Sequence, residues 1–406
     1  MEEQVSQINQ GDTAWIIVAT ALVGMMTIPA LALFYGGLTR TKSILNTIMM
    51  NISAYFLVSV AWVMYGYTLS FNESFGGIIG IPSKLLMNTV DVKAVSGSIP
   101  EFTFSTFQLT FAAITVALIS GAVVERMKFS AWVIFSILWL TFVYCPVAHW
   151  VWGGGFLMKM GALDFAGGTV VHINAGISAV VLSLFLGKRK EGGVLPSNIP
   201  LVVIGAGLLL IGWFGFNGGS ALSSGGLAAS AVLVTNTAAS FAAITWMFIE
   251  KIHRGKPTTI GAASGLVAGL VGITPASGFV DVIGALFIGA LSSAFSYIFV
   301  VVIKSKLPWD DALDVFGIHG VSGIVGSILT GVFANPSINE AGTGLLYGNP
   351  NQLWIQIISS LIVIAYSFVV TAIIALIIKA TVGLRTEEES EIMGLNESEH
   401  GEKAFN

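Results

Sequence analysis

Eleven apolar stretches, each near the length needed to cross a lipid hydrocarbon core, follow one another along this chain. They cover residues 13–38, 44–70, 102–124, 130–152, 167–186, 199–217, 227–249, 258–273, 280–303, 313–333 and 353–381, and polar, turn-rich connectors separate them. In lipid every backbone amide and carbonyl must be bonded within the protein, so stretches of this length span as α-helices. The composition agrees. Only 10% of residues are charged and 55% are hydrophobic, too few charges to cover a water-facing surface. The expected fold is an all-α integral membrane protein with eleven transmembrane helices. No soluble domain is read outside the spans, and an enzyme is not expected. The first residues carry Glu2 and Glu3 and no basic segment, so they do not read as a cleaved signal peptide. The single Cys145 excludes an intramolecular disulfide framework and any multi-cysteine metal site.

Charge sets the orientation. With the N-terminus outside, the cytoplasmic connectors hold all but Lys84, Lys93 and Lys159 of the 18 Lys and Arg residues. That is a strong positive-inside bias, and one span more or fewer would scramble it. The expected protein sits in the plasma membrane as a multi-pass chain, N-terminus out and C-terminus in the cytoplasm.

Two spans carry a histidine, which is costly in a bilayer and marks a functional candidate. Residues Asp164, His172, Gly176 and Ile177 repeat the spacing of Asp311, His319, Gly323 and Ile324: Asp-x7-His-x3-Gly-Ile. A second echo joins Phe34-Tyr-Gly36-Gly37 at the end of the first span to Phe216-Asn-Gly218-Gly219 at the end of the sixth. Spans one to five and six to ten then form two five-helix repeats. Five is odd, so the halves insert inverted, a recurrent transporter plan with its site between the halves. The resulting division is an extracellular N-terminus over 1–12, a first repeat over 13–186, a second over 187–333, an external connector and eleventh helix over 334–382, and a tail over 383–406. His172 and His319 fall on equivalent spans near mid-membrane. The other readings of the pair are satisfied core histidines, or ligands to haem or a metal; no third ligand or binding motif accompanies them, so neither cofactor nor metal is expected. Gly261, Gly265 and Gly269, like Gly317, Gly320, Gly323 and Gly326, read as close helix packing, with the lining of a narrow pore as the other reading beside the two histidines. The connector 71–99 reads equally as an ordered cap or a loose loop.

Four motifs carry a family resemblance: Asp164-Phe-Ala-Gly-Gly-Thr-Val-Val-His172; Asp310-Asp-Ala-Leu-Asp314-Val-Phe-Gly-Ile-His319-Gly; Gly212-Trp-Phe-Gly-Phe216-Asn-Gly-Gly-Ser220; and Trp150-Val-Trp152-Gly-Gly-Gly155. From Thr13 to the tail the chain resembles the ammonium transporter (Amt/Mep/Rh) family, on its Amt/Mep side. The resemblance implies a homotrimer with one pore per subunit, eleven spans in inverted halves, and ammonium or methylammonium as substrate. It implies a recruitment cup of Trp152, Phe107 and Ser220, an aromatic gate of Phe111 and Phe216 beneath it, and possible control by a cytoplasmic PII-type nitrogen-signalling protein. No nucleic-acid partner is implied. Taken singly, a Trp near an interface belongs to the aromatic belt and a Phe within a span is packing.

The chemistry fits those positions. A small cation is held by aromatic faces and an oxygen acceptor. Below the gate an apolar pore passes ammonia more readily than a bare cation, so the proton must be parted or carried in parallel. Two neutral imidazoles can each donate or accept, which makes His172 and His319 a proton relay as well as a lining. Asp164 reads as a cap at the start of its helix, with direct cation contact as the other reading. A nitrogen sensor with little net transport is the alternative function; a fused signalling domain would mark it, and none is read here. A water or glycerol channel is disfavoured, since paired Asn-Pro-Ala motifs are absent. The tail holds seven glutamates, and composition alone calls it disordered. Its Gly394–Glu402 stretch resembles the family's tail, which packs on the cytoplasmic face. Docking there is expected to need Ile392, Met393, Leu395 and Phe405, with Arg126, Lys128, Lys188, Arg189 and Lys190 as complementary charge.

Overall fold

The structure, a computed structural model, describes residues 8–191 and 196–405. Residues 1–7 of the expected N-terminal segment, 192–195 of the second repeat and the last residue of the tail lie outside the described residues. With π and 3-10 turns counted as parts of the helices that hold them, ten segments among the described residues are long and apolar enough to span. They are α1 Gln10–Leu38, α2 Thr41–Phe71, α3 Glu101–Val123, α4 Phe129–Met160, α5 Gly168–Leu186, α6 Ile199–Gly219, α7 Gly226–Arg254, α9 Val282–Lys306, α10 Phe316–Phe333 and α11 Pro350–Thr381. The expected count of eleven is met for ten of these. The eighth stretch forms α8, Thr259–Ile273, with 15 residues.

At 1.5 Å per residue α8 is roughly 22 Å long, short of a hydrocarbon core of about 30 Å. Thr274 still has helical backbone angles, but Pro275 has no amide to continue the ladder, and the chain runs on through turns over 274–279. Its glycine stripe is a packing surface. A Cβ at Gly265 would lie 2.5 Å from Trp246 Cβ, and one at Gly269 2.4 Å from Ala242 Cβ.

Buried along nearly its whole length, α3 forms the centre of the bundle. Beside it α5 and α10 touch through glycine. A Cβ at Gly176 would lie 2.5 Å from Gly320 Cα, so no other residue allows the two histidine-bearing helices this approach. Both begin with a π turn, Gly168–Ile173 and Phe316–Gly320, and each turn holds its histidine. Single π turns of this kind recur at functional sites. The connector after α2 is an ordered cap with two small antiparallel hairpins, Ser74–Phe75 with Ile79–Gly80 and Val95–Ser96 with Ile99–Pro100. We call this the loop end of the bundle and the opposite one the tail end.

The acidic tail is folded, as α12 Glu388–Met393 and α13 Leu395–His400. Its docking differs from the expectation. Of the four apolar residues only Leu395 is buried; Ile392, Met393 and Phe405 are exposed. Polar groups hold the rest. Asn396 accepts from the Leu45 and Asn46 amides at 2.8 and 3.1 Å and donates to Thr41 O at 2.9 Å. Glu391 takes Arg385 at 2.7 Å and the Lys190 amide at 2.6 Å. The backbone of 384–386 pairs with that of 126–128. Of the expected basic partners, Lys190 meets a tail carboxylate, Glu388 at 2.7 Å. Arg189 is committed to Glu125 and Asp310 instead, and Arg126 to the carbonyls of Gly187, Val124 and Asp310. Gly394, between the tail helices, has φ +109.

Candidate functional site

At the loop end a cavity of about 330 Å³ opens among the ends of α3, α4 and α6. Trp152 ends the helical run Cys145–Val151 within α4, and its indole donates to Asp164 O at 2.8 Å. Ser220 caps α6 and donates its hydroxyl to Phe216 O at 2.8 Å. That leaves the oxygen lone pairs free to accept. Trp152, Ser220 and Phe111 all line the cavity, with Phe104 and Gln108. Phe107, expected in the cup, is fully buried one turn behind Phe111, edge-on to it at 4.9 Å. It is not among the lining residues.

The floor of the cavity is aromatic. Phe111 and Phe216 stack with centroids 4.2 Å apart and planes at 28°, and Trp152 meets Phe111 edge-on at 5.9 Å. Phe216 also forms the roof of a second space, lined by His172, His319, Trp213, Ile114 and Leu118 among others. Its volume is about 10 Å³, close to that of one water-sized sphere. The stacked pair thus separates mouth from lumen.

His172 and His319 lie buried in that lumen with Nδ1 atoms 3.2 Å apart and rings within 13° of parallel. One nitrogen must donate and the other accept, so the pair holds a proton between the rings. Trp213 fixes the arrangement. It stacks on His172 at 5.4 Å and 15°, and donates to Thr274 Oγ1 at 2.9 Å. His172 Nε2, buried, has no hydrogen-bond partner.

Each histidine owes its place to a buried aspartate. Asp164 Oδ1 accepts from the amides of Gly167 and Gly168 at 2.9 and 2.6 Å, and Oδ2 from Thr169 and Val170 at 2.9 and 3.0 Å. It caps the start of α5 with all four open amides satisfied. Asp311 takes the amides of Val315 and Phe316 at 3.0 and 2.7 Å at the start of α10. Burial pushes the Asp164 carboxyl up to about 6 against the pull of its amides. It does the same to Asp311, where Lys304 pulls down and Asp314 pushes up. Asp314 itself, at φ +61, pairs with Lys304 at 2.5 Å. It lines a cavity of about 450 Å³ at the tail end, together with Ser264, Glu250 and Leu313. His149 is tied to Ser70 O and Ser74 Oγ and is structural. Among the described residues no group of three or more His, Cys, Asp or Glu could hold a metal.

Trp213, Gln108 and Phe104 belong to these walls without having been singled out. Trp213 sits one turn before Phe216, a spacing that puts both on one helix face. Gln108 is a polar residue inside an apolar span, a mark that an isolated packed polar residue leaves equally.

Known proteins resemble this chain along nearly its whole length. A model of the Ammonium Transporter Family matches residues 14–405. The ammonium transporter of Aquifex aeolicus (strain VF5) is 56% identical, over 99% of this chain and 95% of that protein. The putative ammonium transporter of Methanothermobacter thermautotrophicus is 50% identical, over 98% and 99%. The crystal structure of Candida albicans Mep2 superposes with a TM-score of 0.89 at 35% identity, over 94% of this chain and 88% of that one. A family model over residues 14–405 and relatives of this identity and coverage place the chain in the ammonium transporter family.

Proposed function

We propose that this chain takes ammonium at the mouth, parts it from its proton beneath the phenylalanine gate, and passes ammonia through the lumen while the histidines carry the proton. The observation that carries the proposal is the bonded histidine pair. It lines an apolar lumen directly below the stacked rings, and one buried nitrogen is unpartnered. In the mouth, Trp152 and Phe111 offer π faces and Ser220 an oxygen acceptor to a small cation, with Phe107 backing Phe111. Phe111 and Phe216 separate to admit it. A cation is costly in the lumen and neutral ammonia is not. Ammonium therefore gives its proton to His172 Nε2, which leaves ammonia and an imidazolium. The proton crosses between the Nδ1 atoms to His319 and leaves toward the tail end, where ammonia takes one up again.

The same reading makes α8 the eighth of eleven spans, sets the halves 13–186 and 187–333 as inverted repeats, and puts the loop end outside and the tail in the cytoplasm. The charge asymmetry of the connectors supports it. We propose a homotrimer in the plasma membrane that also takes methylammonium and offers its tail end to a PII-type regulator; family resemblance supports these points. Transport is favoured over sensing by relatives that are named transporters across nearly the whole chain.

The test is current recording from proteoliposomes on a solid-supported membrane during an ammonium jump. An inward current is expected. Trp152→Leu should raise the half-saturating concentration by about tenfold, the worth of one desolvated cation–π contact, more than it lowers the maximal current. Ammonium binding without current would establish the sensor instead.

A further inference from the structure

The carboxylate of Asp12 reaches both lips of the mouth. Asp12 lies in the first turn of α1, buried, with its amide bonded to Asn9 Oδ1 at 3.0 Å. Its Oδ2 accepts from Ser98 Oγ at 2.6 Å. Its Oδ1 accepts from the Ser224 amide at 2.8 Å and from Ser224 Oγ at 3.0 Å. Ser98 belongs to the second hairpin of the cap, whose Ser96 lines the mouth. Ser224 belongs to the turn after α6, whose Ser220 and Leu222 line it from the other side.

That turn is held under strain. Leu222 has φ +53, and a non-glycine residue keeps such a backbone only where its surroundings enforce it. Two further contacts tie the same helix end to both lips: the Asn9 amide donates to Ser98 O at 2.8 Å, and Trp15 Nε1 donates to Gly218 O at 3.2 Å. Hydrogen bonds to an ionised acceptor are short and about twice as strong as neutral ones, so the Asp12 contacts are the strongest of the set.

We propose that Asp12 is a positioning residue for recruitment. It braces the cap hairpin against the turn after α6, and so fixes Ser220 opposite Trp152 for the incoming ammonium. The inference rests on reading the mouth as the recruitment site and assigns Asp12 no contact with substrate.

The experiment is the same current assay, normalised to assembled protein. Asp12→Ala should raise the half-saturating ammonium concentration about fivefold, the worth of one ordinary hydrogen bond, and leave the maximal current near wild type. Asp12→Asn keeps Oδ1 for Ser224 and offers Nδ2 to Ser98 Oγ in neutral bonds about half as strong, so it should recover a clear part of the loss. If Asp12→Ala does not assemble, the Ser98→Ala/Ser224→Ala double variant decides, because it cuts the brace and keeps the carboxylate. Its half-saturation should rise in the same direction. An Asn variant as impaired as the Ala variant would assign the effect to charge and overturn the brace. A wild type without current sinks the transport reading and the brace together. A wild type that responds to Trp152→Leu, while Asp12→Ala and the double variant keep wild-type half-saturation, sinks the brace alone.

Discussion

The starts of α5 and α10 are built from one pattern and placed in two settings. Both hold an aspartate, a π turn and a histidine eight residues on. At the loop end Asp164 is consumed by four amides of its own helix start and, among the described residues, pairs with no Lys or Arg. At the tail end Asp311 caps two amides and sits within a charged cluster of Asp310, Arg189, Glu125, Lys304 and Asp314. The contrast separates two jobs that one motif performs. The cap sets the start of the histidine-bearing helix; the ion pairs tie the start of α10 to α9 and to the connectors after α3 and α5.

The largest effect should come from the part the two starts share. His172→Ala and His319→Ala should each reduce ammonium current on the order of 100-fold, the usual scale for losing a positioned proton carrier, with folding intact. Wild-type currents and cation selectivity in either variant would break the equivalence and the relay. Next come the caps. Asp164→Ala strands four buried amides and should cost on the order of 3–5 kcal/mol, against about 2 kcal/mol for the two amides of Asp311→Ala. Thermal unfolding in detergent reads the difference, and an Asp311→Ala protein that melts first would reverse the ranking.

A tail perturbation should act at the tail end, where it meets the start of α2, and spare the mouth. At Gly394, with φ +109, a Cβ would lie 2.5 Å from Lys42 O. Gly394→Asp is thus strained in its backbone and crowded against the first turn of α2. It should lower maximal current severalfold while half-saturation and assembly stay unchanged. In membranes carrying both proteins, uptake below the wild-type fraction is expected; strict proportionality would show independent subunits. The smallest effect is in acid. Burial alone would raise the Asp310 carboxyl, but Arg189 and Arg126 hold it down at about 2. Its contribution is therefore present above pH 4 and lost as pH falls through 2, about 1–2 kcal/mol in all. Asp310→Asn should flatten the fall in unfolding temperature between pH 5 and 2, and an unchanged slope would remove the ion pair from the account.

What was legible in the chain follows from cost. A histidine or a long apolar run has few reasons to exist, so His172, His319 and ten of the spans could be read directly. Where several causes leave the same trace, the sequence was silent. Trp213 and Gln108 look like any packed Trp or isolated polar residue until the neighbouring rings and the cavity are seen. α8 reads as a span by composition, yet Thr274-Pro275 cuts it short. The tail was misread in detail for a related reason. Apolar side chains are visible in sequence as glue, whereas Asn396 binding three backbone groups and a strand-like pairing of 384–386 have no compositional mark.

The lumen between Phe216 and the histidines has room for about one water-sized sphere. Nothing inside it can overtake or pass in the other direction. On the passage proposed above, traffic would be a queue with one place at the counter, and the slowest guest would set the pace for all. A bulkier amine admitted at the mouth would shut out ammonia for as long as it stays. A mixture of the two would then move more slowly than their separate rates suggest, with the lumen itself acting as the point of competition.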